Sequence, residues 1–145
     1  MPIKYPVARG TILLCDYNTG FRPPEMVKRR PAVVLSHRLP HRDGLCTVVP
    51  LSTTPPRAVV AYACQLRLPF PLPNPYSAMD VWVKGDMLAT VRLERLDLFH
   101  TARDNTGRRQ YLHPRFTVAQ MGLIERCVCH ALGMAHLLPN LPDGA

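Results

Sequence analysis

Short apolar runs separated by polar turns fill residues 11–101 and predict a chain made mainly of β-strands. Most of the runs end at glycine, proline, asparagine or serine, which is typical of strands joined by turns. We predict strands at residues 11–17, 31–36, 46–51, 58–68, 79–84, 86–93 and 95–101. Gly85 lies between two of these runs and is expected to mark a bend or bulge.

The apolar positions change to a helical period near the C-terminus. They recur three and four residues apart at Val118, Met121, Ile124, Val128 and Leu132. Thr117 and Gln120 have the spacing of a capping box, which predicts a helix over residues 118–132 with an end near Gly133. We therefore expect one domain over residues 1–145: a small, bent antiparallel barrel at about 8–112 and a C-terminal helix at about 118–133.

Two predicted loops interrupt the strands. Residues 21–29 are charged, and Pro23 and Pro24 prevent this segment from forming a helix. Residues 69–76 contain four prolines in eight positions and predict a stiff loop rather than a central strand.

The composition points to a polyanionic partner. The formal net charge is +8, and most of the basic residues are arginines, whose planar fork suits phosphate. Codon usage in a GC-rich genome would also enrich arginine, and this alternative stays open. The N-terminus has no apolar signal core and no run approaches membrane-spanning length, so we expect a cytoplasmic protein without a membrane partner.

The five cysteines are odd in number and scattered through apolar runs, which predicts reduced core thiols rather than a disulfide framework. Cys127, Cys129 and His130 do not have the spacing of the common zinc sites. We predict no metal site and no cofactor.

The segment from Gly20 to Ser36 carries the most specific chemistry. Glu25 lies five residues before Arg30, and Arg30 precedes Pro31 and an apolar run that reads as a buried strand. A carboxylate can move protons, and a fixed guanidinium can neutralise the charge of a phosphorane. These residue types suit a metal-free attack on a phosphodiester.

Three segments together resemble the MazF/PemK (Kid) family of toxin endoribonucleases. The first is residues 25–36, EMVKRRPAVVLS, which is similar to the family's loop glutamate, Arg-Pro pair and following strand. The second is residues 48–53, VVPLST, and the third is residues 82–88, WVKGDML, with a basic residue two positions before an aspartate. The resemblance implies a CcdB/MazF-type barrel related to SH3-like barrels, usually a homodimer.

The resemblance also implies a function. Members of this family cleave single-stranded RNA without a metal: the 2′-hydroxyl attacks the adjacent phosphorus and leaves a cyclic phosphate and a 5′-hydroxyl. A cognate antitoxin protein neutralises the toxin by occupying its RNA groove. On this basis the expected partners are single-stranded RNA, an antitoxin and a second copy of the chain.

Six residues are the predicted catalytic set. Arg30 matches the family's phosphate-stabilising arginine, and either Ser52 or Thr53 supplies a hydroxyl, depending on strand register. Glu25 and Asp86 are expected to share the proton transfers, with neither assigned as base or acid, while Lys84 holds charge.

A second group is expected to bind RNA around that set. It comprises Arg22, Lys28 and Arg29 as bases and Tyr17 and Phe21 as stacking rings. The bases could equally form an ordinary solvated face.

Two alternatives keep the fold and change the activity. A non-cleaving nucleic-acid-binding or regulatory module would fit the serine that stands where a threonine is more usual. A gyrase inhibitor of the CcdB branch would need no catalytic cluster, so the Glu25–Arg30 and Lys84–Asp86 pairs argue against it.

Overall fold

An antiparallel sheet and one C-terminal helix make up the computed structural model, which describes residues 2–139. The strands are β1 (Ile12–Asp16), β2 (Arg29–Val34), β3 (Leu45–Ser52), β4 (Ala63–Arg67), β5 (Asp80–Lys84), β6 (Ala89–Arg92) and β7 (Leu96–Asp97), and the helix is α1 (Val118–Ala131). The predicted class, mainly β with a C-terminal helix, is confirmed.

The strands pair in the order β4-β5-β3-β2-β1-β7, and β6 lies beside β5 on the same edge of β3. Within residues 2–139 no ladder joins the two ends of this path, so the sheet is bent but open. The fold is the small, bent antiparallel type that the sequence predicts, and its sheet is not closed. Pairing between distant strands decides closure, and the local apolar pattern carries no information about it.

Three strand predictions are longer than the strands that form, one of them at residues 86–93, where only Ala89–Arg92 pairs as β6. The strand predicted at residues 58–68 begins only at Ala63, because Ala63 pairs with Lys84 and β5 ends there. Residues before Ala63 have no partner strand and continue as a loop. The strand predicted at 95–101 shortens to Leu96–Asp97, which pairs with Leu14 and Cys15 of β1.

Both faces of the central strands are buried, which explains their continuous apolar runs. Ile12, Val33 and Val49 pack on one face together with Ile124 of α1. Their neighbours in sequence, including Leu13, Ala32 and Val48, pack in a second cluster on the opposite face. The helix therefore covers one side of the sheet only.

Local capping fixes the start of α1. Gln120 N–H donates to Thr117 Oγ1 (3.1 Å), and Thr117 N–H donates to Gln120 Oε1 (2.9 Å), so the predicted capping box is confirmed. Gln120 Nε2 also donates to the carbonyl of Arg67 (2.9 Å), which ties the helix to the end of β4. No helix within residues 2–139 is both long and apolar enough to cross a membrane.

The predicted bend at Gly85 is a 3₁₀ turn, Gly85–Met87, between β5 and β6. Gly85 packs directly against α1: a Cβ added there would lie 2.8 Å from Cys127 Cβ and 2.8 Å from the carbonyl oxygen of Tyr62. Its own N–H donates to that carbonyl (3.0 Å). A residue without a side chain is therefore needed where the chain turns away from β5.

Candidate active site

Arg30 lies on β2 opposite Cys15 of β1, where the charged loop enters the sheet. Its Nε donates to the carbonyl oxygen of Val27 (3.0 Å), which anchors the side chain to the loop. Because Nε is engaged in this bond, the terminal amino groups of the guanidinium are the donors that an anion would meet.

Ser52 ends β3 beside Arg30. Ala32 of β2 pairs with Pro50 of the antiparallel strand β3. Two residues further along the same register, Arg30 comes opposite Ser52. Ser52 is buried, and its Oγ accepts a hydrogen bond from Thr54 N–H (3.1 Å). Thr53 is exposed. Of the two candidate hydroxyls, Ser52 is the one held next to Arg30.

Lys84 and Asp86 come from the end of β5 and the turn that follows. Val81 and Val83 of β5 pack in the cluster that contains α1, so Trp82 and Lys84 lie on the opposite face of the strand. Ser52 pairs with Trp82, which places β5 directly beside the end of β3. Arg30, Ser52 and Lys84 thus share one face of the sheet.

Three neighbouring cavities contain these side chains in their walls. The first cavity, about 490 Å³, and the second, about 640 Å³, share Arg30 and Ser52 in their walls. The second and third cavities, the latter about 410 Å³, share Met26, Asp86 and Met87. We call the three neighbouring cavities together the groove.

All six residues of the predicted catalytic set line the groove. Arg30, Ser52, Lys84 and Asp86 meet in the second cavity, Thr53 lines the first, and Glu25 lines the third with Asp86. The basic side chains lie in the walls of the first two cavities. Asp86 shares the second cavity with Arg30 and Lys84 and also lines the third, so one candidate proton carrier adjoins the fixed positive charge and the other, Glu25, lies in the next cavity.

The predicted RNA-binding residues separate into two groups. Lys28 and Arg29 line the first cavity, and Lys28 adopts a left-handed backbone conformation with φ of 73°. Arg29 Nη2 lies 3.4 Å from Asp97 Oδ2 in a partly exposed ion pair, which competes weakly with a phosphate. Arg22 is exposed and lies outside the walls of the three cavities.

The two predicted stacking rings are used differently. Tyr17 is fully buried, and burial raises the pKa of its hydroxyl. Phe21 packs edge-to-face on Tyr17 with ring centroids 5.2 Å apart, and the Arg95 guanidinium lies 4.8 Å from the Phe21 centroid. Both rings border the third cavity, but Tyr17 is fully buried and exposes no ring face to a base, which argues against Tyr17 as a stacking ring. Phe21 is half-buried.

Sequence reasoning missed one contributor to the groove. The loop between β3 and β4 supplies Thr54, Pro56, Arg57 and Tyr62 to the second cavity. The sequence predicts a strand over part of this segment, although Pro55 and Pro56 indicate a loop just before it. Tyr76, an aromatic residue at a loop and for that reason a further candidate for stacking on an RNA base, lines the first cavity.

Comparison with known proteins identifies the family. A family model described as "PemK-like, MazF-like toxin of type II toxin-antitoxin system" matches residues 8–109, which is more than half of the chain. The chain belongs to this family. The resemblance that the three sequence segments carry is therefore confirmed.

Two curated relatives match at similar identity. An uncharacterized protein of Haemophilus influenzae is 31% identical over 140 residues, covering 89% of this chain and 92% of that protein. The Escherichia coli K12 protein YifN is 31% identical over 103 residues, covering 69% of this chain and 68% of that protein.

Solved structures share the fold at low identity. The toxin MazF-mt6 of Mycobacterium tuberculosis superposes with a TM-score of 0.54 at 17% identity, covering 86% of this chain and 97% of that one. MazF of Deinococcus radiodurans gives 0.53 at 18%, covering 90% and 98%, and an endoribonuclease from a mycobacterial species gives 0.53 at 19%, covering 88% and 92%. At these identities the likeness concerns the fold.

Proposed function

We propose that this protein is the toxin of a type II toxin–antitoxin system and cleaves single-stranded RNA without a metal ion. The observation that carries the proposal is the meeting of Arg30, Ser52, Lys84 and Asp86 in the second cavity, with Glu25 in the adjoining third. Family membership and the structural likeness to proteins named MazF and endoribonuclease support the same reaction class.

The proposed reaction is an internal transfer at phosphorus. A carboxylate, Glu25 or Asp86, takes the proton of the 2′-hydroxyl as O2′ attacks the adjacent phosphorus. Arg30 and Lys84 neutralise the charge that develops on the phosphorane oxygens, and Ser52 Oγ donates a hydrogen bond to one of them. The bond from phosphorus to O5′ then breaks, and O5′ receives a proton from an acid. The products are a 2′,3′-cyclic phosphate and a 5′-hydroxyl.

Several partners follow from this proposal. The substrate is single-stranded RNA, because both the attacking hydroxyl and an in-line geometry are available in a flexible strand. A cognate antitoxin protein would block the groove, and the working unit would be a cytoplasmic homodimer of one-domain chains. No cofactor is required, since fixed cations carry out the charge neutralisation that a metal would otherwise supply.

The test is cleavage of a long, weakly structured RNA by the purified, antitoxin-free protein in EDTA, followed by sequencing of the new ends. We expect discrete cuts with cyclic-phosphate ends, loss of cutting in Arg30→Ala, and normal cutting in Arg103→Ala. Arg103 is an exposed arginine outside the groove and controls for loss of charge. Binding without cutting by folded wild type would instead indicate a non-cleaving module. Cuts that survive Arg30→Ala would contradict the proposed site.

A further inference from the structure

The first cavity is built differently from the rest of the groove. Its floor is apolar and buried, formed by side chains that include Leu51, Leu68 and Val81. Its charged lining residues are Lys28, Arg29 and Arg30. Among the described residues that line it, none is acidic. An apolar floor under a cationic rim is complementary to a nucleotide, whose base is flat and apolar on its faces and whose phosphate is anionic.

Tyr76 closes one side of this cavity in a fixed orientation. Its hydroxyl donates to the carbonyl oxygen of Arg29 (3.1 Å), across the cavity rim from the proline-rich loop. Its ring packs edge-to-face on Phe99, with centroids 5.9 Å apart. A ring held at both its hydroxyl and its edge is a preorganised surface, so little ordering entropy is lost when a ligand packs on it.

The position of the cavity fixes which part of a ligand it would hold. Arg30 and Ser52 form its boundary with the second cavity, where the proposed catalytic residues meet. A phosphate bound between Arg30 and Ser52 would therefore have a neighbouring nucleotide within reach of Tyr76.

We propose that Tyr76 and the first cavity form a subsite for one unpaired RNA base next to the scissile phosphate, and that the proline-rich loop thereby contributes to sequence selection. That the neighbouring phosphate is the one cleaved rests on the proposed function, whereas binding of the base does not depend on cleavage. The loop at residues 69–76 lies outside the three sequence segments that carry the family resemblance, although within the residues that the family model matches.

The decisive experiment uses an RNA analogue that cannot be cut. A fluorescein-labelled 2′-O-methyl oligonucleotide of about 12 nucleotides is within the usual site size for single-strand binding. Single abasic positions are scanned along it, and affinity is measured by anisotropy for wild type, Tyr76→Ala and Tyr76→Phe. Tyr111→Ala is the matched control, because Tyr111 also packs edge-to-face on a ring (His100, 6.0 Å) but lies outside the groove.

In wild type, we expect one abasic position to weaken binding by about 5- to 100-fold, the usual range for a stacked base. In Tyr76→Ala the intact oligonucleotide should bind more weakly by a similar factor, and the same abasic position should have almost no further effect. Tyr76→Phe keeps the ring but loses the hydrogen bond to the Arg29 carbonyl, so its affinity should lie between those of wild type and Tyr76→Ala and it should keep the abasic penalty. Tyr111→Ala should behave as wild type. In the cleavage assay, Tyr76→Ala should relax the base preference at one position beside the cut and leave the remaining motif unchanged.

Other outcomes would overturn the subsite. An abasic penalty that is equally large in wild type and Tyr76→Ala would mean that Tyr76 does not contact a base. Unchanged RNA affinity together with lost binding of an acidic antitoxin peptide would assign the cavity to a protein partner.

If Tyr76→Ala does not fold, Ala78→Leu provides the test, because Ala78 is an exposed residue in the cavity wall. It should weaken binding as Tyr76→Ala would, and full retention of affinity would contradict the proposal. A protein that binds RNA in this way but never cuts would refute the proposed function and leave the subsite standing.

Discussion

At the scale of single residues, the contrast between Ser52 and Thr53 gives a direct test of register. Ser52 is buried beside Arg30, whereas Thr53 is exposed. Loss of one hydroxyl donor to a phosphorane oxygen should cost about 10- to 100-fold in rate. We therefore expect Ser52→Ala to lower kcat by that factor and Thr53→Ala to change it by less than about 3-fold, measured in single-turnover cleavage of one RNA. Equal losses would mean that both hydroxyls act, and the reverse order would show that Thr53 is the donor.

Cys15 allows a prediction about pH. The thiol is fully buried in the cluster opposite α1, and burial raises its pKa from 9.0 to about 11. The unfolded chain therefore loses this proton at lower pH than the folded protein does. The contribution that this protonated thiol makes to the free energy of unfolding is fully present below pH 9 and is lost as the pH rises towards 11.

We expect the free energy of unfolding, measured in urea, to fall over that pH range. Burial also raises the pKa of Tyr17, so its hydroxyl adds to the fall in the same direction. Cys15→Ala should be less stable than wild type near pH 8, because it leaves a cavity, but its stability should fall less steeply above about pH 9. An identical pH dependence in the two proteins would contradict this account.

At the scale of elements, the contact between the Gly85 turn and α1 positions two of the proposed catalytic residues. A methyl group at Gly85 would lie 2.8 Å from Cys127 Cβ and 2.8 Å from the Tyr62 carbonyl oxygen, so the turn or the helix would have to move. We expect Gly85→Ala to lower the free energy of unfolding by about 1–3 kcal/mol. Cleavage should fall as well, because Lys84 directly precedes the turn and Asp86 lies in it.

Gly122 is the matched control for this substitution. It lies inside α1, and a Cβ added there would meet nothing within 4 Å. Gly122→Ala should therefore stabilise the protein by about 0.5–1 kcal/mol and leave cleavage unchanged. Both changes are measured by urea unfolding. A Gly85→Ala protein as stable as wild type would show that the turn and the helix adjust freely.

The elements also show what the sequence could and could not predict. The start of α1 was predictable because its capping box lies within four consecutive residues. The start of β4 was not, since it depends on where β5 ends, some twenty residues later in the chain. The proximity of Arg30 to Ser52 likewise depends on the register of β2 and β3, so only family resemblance could connect them in advance. The hydrogen bond from Tyr76 to the Arg29 carbonyl was unpredictable for the same reason, because the two residues are far apart in the sequence.

At the scale of the whole molecule, part of the positive charge that gives the chain its net charge of +8 is concentrated in the groove. Five bases line the first two cavities: Lys28, Arg29, Arg30, Arg57 and Lys84. Among the proposed proton carriers, Glu25 lines only the third cavity and Asp86 lines the second and third, so neither lies in the first cavity. A single strand would therefore meet concentrated positive charge at one end of the groove, and the general arginine bias of the composition need not be responsible for binding.

This distribution predicts how RNA binding depends on salt. Each phosphate neutralised by a base adds about −0.7 to the slope of log K against log salt for a single strand, so contacts by all five bases would give about −3.5. Arg57→Ala should make the slope shallower by about 0.7, because Arg57 lines the second cavity, whereas Arg103→Ala should leave it unchanged. Anisotropy titrations of an uncleavable 2′-O-methyl oligonucleotide at several salt concentrations measure both effects. If the two substitutions shift the slope equally, the whole surface attracts RNA and the groove has no special part in binding. A slope near zero in wild type would mean that the groove does not contact the RNA phosphates.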